Sequence, residues 1–292
     1  MKILISKLPE SGWWSSGIPK YQDNPAMREG ARPNHNKLVA ERERLISILK
    51  KENQTIIEID FPTKLDQKNP KHDFIFVRDQ FISNQSDLVL ILRSGKRLRR
   101  MENIVMGDIL NKFNYNIINM PDVPGLRADG GEFYFCLEEN ILFSGIQRNT
   151  LSGINYVVET LKIDELLILD GKGYHLDTFF TPVLDSQNLL CATIVCDEIL
   201  TSKSRKDLYE FSKKRNLPIF KVPLKDSIGT LENIGSFSVN ALPLPGVLIS
   251  PNHFTDKSID RSLSELGIKR VITPTSQFEL SGGSIHCITN EL

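Results

Sequence analysis

Five amphipathic helical stretches alternate along this chain with short apolar runs, and this alternation constrains the fold more than any other feature of the sequence. In each stretch, apolar residues recur every three or four positions, the period that places them on one face of a helix. The intervening runs are rich in Ile, Val, Leu and Phe, as is typical of buried strands. The pattern therefore predicts an α/β fold. The helical stretches are marked by Leu38, Leu45 and Leu49; by Ile104, Val105 and Ile109; by Ile154, Val157, Val158 and Leu161; by Leu208 and Phe211; and by Ile259, Leu263 and Leu266.

Ten short runs are predicted as strands, and with the five helices they form units that average roughly 58 residues in a chain of 292. The units share no detectable sequence similarity, and no Pro-, Gly- or Ser-rich linker separates them. We therefore expect one domain over residues 1–292. Helix N-caps are predicted at Asn34, at Thr150 or Ser152, and at Asp256. The predicted strands are residues 3–6, 55–59, 74–81, 88–92, 132–136, 141–144, 166–169, 191–195, 246–250 and 270–273.

Composition narrows the classes of function. The 36 Lys and Arg balance the 36 Asp and Glu, so no broad positive field favours nucleic acid or an acidic membrane surface. No apolar run approaches the length that spans a bilayer, and the N-terminal run is too short for a signal peptide, so we expect a cytoplasmic protein. Among the four cysteines, only Cys191 and Cys196 are close in sequence, and they lack the second pair or nearby His of a zinc site. We expect no metal and, at most, a lone functional thiol.

Common catalytic signatures are absent from the sequence. It has neither the phosphate-binding pattern G-x-x-x-x-G-K-[ST] nor a G-x-G-x-x-G turn between a strand and a helix. It also lacks the G-x-S-x-G elbow and the H-E-x-x-H pair. These absences disfavour nucleotide chemistry, serine hydrolysis and zinc-dependent proteolysis.

Acidic residues interrupt two of the apolar runs. Asp73 and Asp79 lie six residues apart, so on a strand they would face the same side. His175 and Asp177 lie two residues apart, which again predicts a shared face and a pairing of base with carboxylate. Each feature alone is common in structural strands.

Two double glycines accompany further polar residues. Asp129-Gly130-Gly131-Glu132 opens a predicted strand, where glycines permit close approach of a ligand. Gly282-Gly283 precedes Cys287, which we expect on a strand that presents the thiol to a cleft. Taken together with the Arg-rich run 93–100, these residues predict a thiol enzyme that acts on a cationic, nitrogen-rich group near an amino-acid carboxylate.

The order of these motifs resembles the guanidine-modifying superfamily, which includes arginine deiminases, dimethylarginine dimethylaminohydrolases, agmatine deiminases and amidinotransferases. In that superfamily an acidic D/N-x-x-F-x-x-D segment, an E/D-G-G-D segment, an H-x-D segment and a C-terminal Gly-Gly segment with the catalytic Cys follow one another. The corresponding segments here are 73–79, 129–132, 175–177 and 282–287. The resemblance implies a five-bladed αβ propeller of pseudo-fivefold repeated units, in a single domain, and a thiol-dependent hydrolase without metal or organic cofactor.

The resemblance also implies a role for each of eight residues. Cys287 would attack the guanidinium carbon, and His175 would be the general acid and base. Asp79, Asp129 and Asp177 would hold the guanidinium. Arg99, in Arg99-Arg100-Met101-Glu102, and Arg148, in Gln147-Arg148-Asn149-Thr150, would clamp the α-carboxylate, with Asp73 near the α-amino group.

This chain departs from the superfamily pattern in one segment and leaves several alternatives open. Asp129 is one methylene shorter than the frequent Glu, and Glu132 replaces the usual final Asp. The expected partner is a small guanidino substrate, and the expected products are a ureido compound and an amine or ammonia. Amidino transfer to an acceptor amine is the alternative reaction, and a non-catalytic binding protein of the same fold is a further one. The loop Ser11–Arg32, which carries Trp13 and Trp14, is either a surface loop packed by its own aromatics or a lid.

Overall fold

The computed structural model describes residues 1–22, 24–230 and 233–292. The strands in this part of the chain are β1 (Lys2–Ser6), β2 (Thr55–Ile59), β3 (Phe81–Ser83), β4 (Leu88–Ile91), β5 (Asn116–Asn119), β6 (Phe133–Cys136), β7 (Ile141–Ser144), β8 (Glu165–Ile168), β9 (Phe180–Leu184), β10 (Leu190–Val195), β11 (Ile219–Lys221), β12 (Leu242–Leu244), β13 (Val247–Ser250), β14 (Lys269–Ile272) and β15 (Asn290–Glu291). The helices are α1 (His35–Lys51), α2 (Arg100–Leu110), α3 (Leu151–Leu161), α4 (Ser202–Arg215), α5 (Lys257–Glu265) and the single turn α6 (Ser276–Glu279).

The strands form five three-stranded sheets with one topology. In each sheet the middle strand pairs antiparallel with one neighbour and parallel with the other, and a helix connects the two parallel strands. The sheets are ordered β15-β1-β2, β3-β4-β5, β6-β7-β8, β9-β10-β11 and β12-β13-β14. These are the five αβ blades that the resemblance implied, and β15 closes the first blade by pairing Ile3 with Glu291 and Leu4 with Asn290.

The five predicted helices are confirmed, and their caps follow the sequence. The side chain of Asn34 accepts from the Lys37 N–H at 3.0 Å, and Asp256 accepts from Ser258 at 2.8 Å. Thr150 rather than Ser152 caps α3, because its Oγ1 accepts from the Gly153 N–H at 3.1 Å. These side chains bond N–H groups that the first helical turn leaves unpaired.

The predicted strand 74–81 is wrong. Two short 3₁₀ turns, His72–Ile75 and Val77–Gln80, occupy this segment, and β3 begins only at Phe81. The turns are buried on all sides, so their apolar run has the appearance of a buried strand.

Apart from β3, of which only Phe81 was in a predicted strand, five strands were not predicted: β5, β9, β11, β12 and β15. Two of them, β9 and β12, are edge strands that contain Pro182 and Pro243, residues that disfavour a strand prediction but are tolerated at a sheet edge. The others are two to four residues long and have polar or charged ends. Their strand structure depends on the neighbouring strand rather than on local sequence.

Candidate active site

The site is built from the segments that enter the first strand of each blade. The turn Val77–Gln80 leads into β3, the turn Gly130–Glu132 into β6 and the turn Leu176–Thr178 into β9. The first of these turns contacts the second, and the second contacts the third. In this position each blade contributes at least one polar residue to one site, and these residues are Asp79, Asp129, His175 with Asp177, Asn240 and Cys287.

Cys287 lies on a helical turn between α6 and β15 rather than on the predicted strand. The Ile288 N–H donates to the Ser284 carbonyl at 3.1 Å, and the Arg78 N–H holds the Cys287 carbonyl at 3.1 Å. The residue is only 4% exposed. Burial, together with the carboxylates of Asp177 and Asp79, raises the pKa of the thiol well above its ordinary value.

Asp177 is completely buried beside this thiol. Its Oδ2 accepts from the thiol of Cys287 at 3.3 Å and contacts Nδ1 of His286 at 2.9 Å. Burial alone would raise the pKa of Asp177, but the contact with His286 keeps it below its ordinary value. Within the described residues, its Oδ1 has no hydrogen-bond partner. A buried carboxylate oxygen without a donor is costly, so this atom is poised for a donor from a bound molecule.

His175 contacts two carboxylates, but neither is the predicted partner Asp177. Its Nε2 lies 3.4 Å from Oδ2 of Asp129, and its Nδ1 lies 3.6 Å from Oδ1 of Asp79. Burial would lower the pKa of His175, but Asp79 and Asp129 together raise it. The physical reason for the different pairing is that Leu176–Thr178 is a 3₁₀ turn, so the alternation of a strand does not apply.

A pocket lies beside the thiol, and its wall includes Asp73, Asp79, Arg99, Arg148, His175 and Cys287. Asp129 is not among the residues of this wall and lies behind His175. It is completely buried, and its Oδ1 accepts from the Gly95 N–H at 3.0 Å. Burial acts to raise the pKa of Asp129, but the hydrogen bond with His175 and the nearby Arg148 hold it well below its ordinary value. The position of Asp129 suits it to orient His175, and its contact with a guanidinium stays a prediction.

Gly130 and Gly131 allow close approach of other residues of the protein rather than of a ligand. A Cβ on Gly131 would lie 2.6 Å from Nδ1 of His175 and 2.8 Å from Oδ1 of Asp79. A Cβ on Gly130 would collide with the Arg78 carbonyl. The glycines thus let the 3₁₀ turns of neighbouring blades meet.

Arg99 is tied to acidic residues of its own blade. It pairs with Asp79 through Nη1 and donates to Glu102 from Nε at 3.0 Å and Nη2 at 2.8 Å. Its Nη2 also donates to the Asp73 carbonyl at 3.0 Å. The guanidinium has five N–H groups, and these contacts use four of them. Arg99 also belongs to the pocket wall. These bonds fit it to hold Asp79, and its contact with the substrate carboxylate stays a prediction.

Cationic and aromatic side chains form the outer part of the pocket. The Arg148 guanidinium lies 5.8 Å from the Tyr174 ring centroid, and the Lys96 ammonium lies 3.8 Å from that of Tyr21. Asp73 is in the pocket wall and is hydrogen-bonded to Tyr21. The pocket thus combines carboxylates near the thiol with cations farther out.

The loop Ser11–Arg32 covers this pocket and also packs on the body of the protein. Tyr21, Asn24 and Met27 belong to the pocket wall, while Asp23 lies outside the described residues. Trp13 donates from Nε1 to the His72 carbonyl at 2.8 Å, and the Trp14 N–H donates to the His72 ring at 2.8 Å. The loop therefore lines the pocket and packs on the body of the protein, and its action as a lid stays a prediction.

Sequence reasoning missed Asn240 and His286. Asn240 is completely buried and donates from Nδ2 to Sγ of Cys287 at 3.2 Å. His286 stacks on Tyr134 with ring centroids 4.2 Å apart. The signal for His286 was its position beside the cysteine, and the signal for Asn240 was its place in the fifth repeat, which the divergent sequences of the blades conceal.

No group of three or more His, Cys, Asp or Glu in the described part of the chain is arranged to hold a metal ion. None of the described helices combines the length and apolar character needed to cross a bilayer.

Comparison with known proteins places the fold. No family model and no curated protein matches the sequence. The N-terminal domain of ArgZ, an arginine dihydrolase from the ornithine-ammonia cycle in cyanobacteria, in its product-bound structure, matches with a TM-score of 0.78 at 20% identity, covering 99% of this chain and 96% of that one.

Two other solved structures match over nearly all of this chain. AgrE, in its ternary complex with ornithine and NAD⁺, matches with a TM-score of 0.78 at 20% identity, covering 99% of this chain but 39% of its own. DDAH from Pseudomonas aeruginosa, complexed with citrulline, matches with a TM-score of 0.73 at 15% identity, covering 100% and 98%. This chain therefore has the fold of these solved structures, and its five three-stranded sheets form the five αβ blades that its motifs implied.

Proposed function

We propose that this chain is a thiol-dependent hydrolase of a guanidino substrate, an arginine-like amino acid, and that it yields a ureido compound and ammonia. The observation that carries the proposal is the buried Oδ1 of Asp177, which has no hydrogen-bond partner among the described residues and belongs to the carboxylate beside Cys287 Sγ. A guanidinium supplies several N–H donors in one plane and a positive charge. The solved structures with the same fold include an arginine dihydrolase and DDAH.

Substrate binding is the first step of the proposed mechanism. The guanidinium lies between Asp79 and Asp177, and each charge-assisted hydrogen bond contributes about 1.5–3 kcal/mol. Its positive charge offsets the carboxylates that raise the pKa of Cys287. Substrate binding thus favours the thiolate, which is the nucleophilic form.

The covalent step follows. The Cys287 thiolate attacks the guanidinium carbon, and protonated His175 gives its proton to the nitrogen that leaves as ammonia. An amidino group then remains on sulfur, and His175 is neutral. The raised pKa of His175 favours the protonated imidazole that this step requires.

Hydrolysis returns the enzyme to its starting state. Neutral His175 takes a proton from water, whose oxygen adds to the amidino carbon, and the carbon–sulfur bond breaks to release the thiolate. The ureido product loses its remaining proton, which ends on ammonia as ammonium. Attack by an amine in place of water would give amidino transfer.

Arg148 is the proposed contact for the substrate α-carboxylate, and Asp73 for the α-amino group. Arg148 lies in the outer wall of the pocket, and its guanidinium can bind a carboxylate through two parallel hydrogen bonds. Most N–H groups of Arg99 are already bonded to acidic residues and a carbonyl. Its proposed part is therefore to hold Asp79.

Asp177 also affects how well a substrate with a methylated guanidinium can bind. A dimethylated nitrogen has no N–H to offer, so methyl groups against Oδ1 would leave this buried atom unsatisfied at a cost of about 1–3 kcal/mol. We therefore expect arginine to be preferred over asymmetric dimethylarginine by roughly tenfold to hundredfold.

A substrate panel tests the proposal. We expect turnover of arginine, with lower kcat/KM for agmatine, which lacks the α-carboxylate, and for asymmetric dimethylarginine.

The variant Arg148→Ala should raise KM for arginine and narrow the preference of the enzyme for arginine over agmatine. Arg127→Ala is the control, because Arg127 is not in the pocket wall. Mass spectrometry of the products, with and without glycine, separates hydrolysis from transfer. Absence of turnover across the panel would contradict the proposal, and product that forms only with an acceptor amine would indicate an amidinotransferase.

A further inference from the structure

Asn240 occupies a strained turn in the fifth blade. The residue is completely buried between Phe237 and β12, and its N–H donates to the Phe237 carbonyl at 2.8 Å. Phe237 has φ of 53°, a left-handed conformation that is rare for a bulky side chain. Such strain persists where surrounding contacts fix the backbone, and it often occurs at functional sites.

The side chain of Asn240 connects the two residues that face the substrate position. Its Nδ2 donates to Cys287 Sγ at 3.2 Å and to the Asp177 carbonyl at 3.0 Å. Its Oδ1 accepts from the Cys287 N–H at 3.4 Å. These contacts determine the orientation of the amide, because rotation by half a turn would set oxygen against carbonyl oxygen and NH₂ against N–H.

The Nδ2–H donor of Asn240 matters because carboxylates surround the sulfur of Cys287. The acidic groups that face Cys287 are Asp177 and Asp79, whose carboxylates are contacted in turn by His286 and His175. Both carboxylates disfavour a thiolate. The Asn240 amide and the backbone of Ser284 act in the opposite direction.

We propose that Asn240 is a catalytic residue of this site, whose Nδ2–H donor stabilises and aims the Cys287 thiolate. The inference rests on the proposed function for its part in turnover, but its effect on the thiol does not depend on a substrate. The neutral donor offsets part of the repulsion from Asp177 without competing for the guanidinium. Its second Nδ2 hydrogen holds the Asp177 backbone, so that sulfur and carboxylate keep their relative position.

The test is the rate at which iodoacetamide alkylates Cys287 across a range of pH, followed by peptide mass spectrometry. Only the thiolate reacts, so loss of the donor should slow alkylation about tenfold at each pH below the thiol pKa, which corresponds to a rise of about one pH unit. Asn240→Ala removes the donor. Asn240→Asp keeps the shape and replaces the donor by an anion, so its alkylation should be slower still.

Asn103→Ala is the matched control, because it removes a buried amide that bonds Ser94 and Gln80 but not the sulfur. It should keep the wild-type alkylation profile, and thermal unfolding of each variant checks that it is folded. In turnover, Asn240→Ala should lower kcat about tenfold or more with KM within about twofold. Wild-type alkylation profiles in both folded Asn240 variants would overturn the inference. Slowed alkylation in a protein that turns over no guanidine would leave the effect on the thiol intact and contradict the proposed function alone.

Discussion

At the scale of single residues, the site depends on how carboxylates are shared between one imidazole and one thiol. Asp129 contacts the imidazole of His175 and the Gly95 N–H, Asp177 contacts the thiol, and Asp79 lies near both His175 and Arg99. The same residue type therefore has a different effect in each position. The result is an imidazole and a thiol that both have a raised pKa, as the proposed proton donor and the proposed nucleophile of the site.

The variant Asp129→Asn tests the pairing with His175. Because Asp129 helps to raise the pKa of His175, its loss should move the basic limb of the pH–rate profile to lower pH. Above the pKa of His175 the imidazole is neutral and cannot protonate the leaving nitrogen, so activity falls as pH rises. The measurement is kcat against pH for both proteins, read as macroscopic values. A basic limb that stays in place would show that Asp129 does not tune His175.

The eight candidate residues were accessible from the sequence because each is a polar group in an unusual context. Acids within apolar runs and a thiol after a double glycine are visible without a structure. Asn240 was not visible, because an isolated Asn before a short strand is an ordinary turn residue. The contact of Asp129 with His175 could not be predicted either, since it depends on which side chain lies across the blade boundary.

At the scale of elements, Asp73, Asp79 and Asp177 lie on 3₁₀ turns rather than on strands where they reach the site. The sequence predicted strands there because buried turns and buried strands have similar composition. The i, i+2 argument failed in the segment of His175 for this reason, although both residues still reach the site. The helices were predicted well, because each keeps one solvent-facing side and therefore a clear period.

Gly131→Ala tests the close approach of these turns. The added methyl would lie within 3 Å of His175 and Asp79, so we expect the protein to fold with reduced stability and to lose most of its turnover. Gly107→Ala in α2 is the control, because its Cβ would meet the Asn119 side chain first, at 3.3 Å. Activity assays and thermal unfolding of both variants make the comparison. Full activity in Gly131→Ala would show that the spacing is not critical.

At the scale of the whole molecule, the C-terminal strand both closes the first blade and follows the turn that carries Cys287. Leu292 is 3% exposed and packs in a cluster with Leu4 and Ile59, and its N–H donates to the Lys2 carbonyl at 3.0 Å. The two ends of the chain are thus held together three residues beyond the turn of Cys287–Thr289. This closure was absent from the sequence prediction, because β15 is only two residues long.

Leu292→Ala tests this closure. Removal of a buried Leu side chain should lower the free energy of unfolding by about 2 kcal/mol or more. Leu151→Ala, at a position 57% exposed, is the control and should change it by less than about 0.5 kcal/mol. Chemical denaturation of both variants gives the two values. Equal small losses would indicate that the C-terminal contact contributes little to stability.

The most direct measurement of the central claim is the intact mass of the protein quenched during turnover of arginine. We expect a transient increase in protein mass that equals the mass of arginine minus that of ammonia. Peptide mapping should locate this adduct on Cys287. The mass increase should be absent in Cys287→Ala. In His175→Asn the adduct can form only from a substrate whose leaving group needs no proton. With such a substrate the adduct should persist longer than in the wild type, because His175 is not there to activate water. Turnover of arginine by Cys287→Ala at the wild-type rate, without any adduct on the wild-type protein, would contradict the central claim.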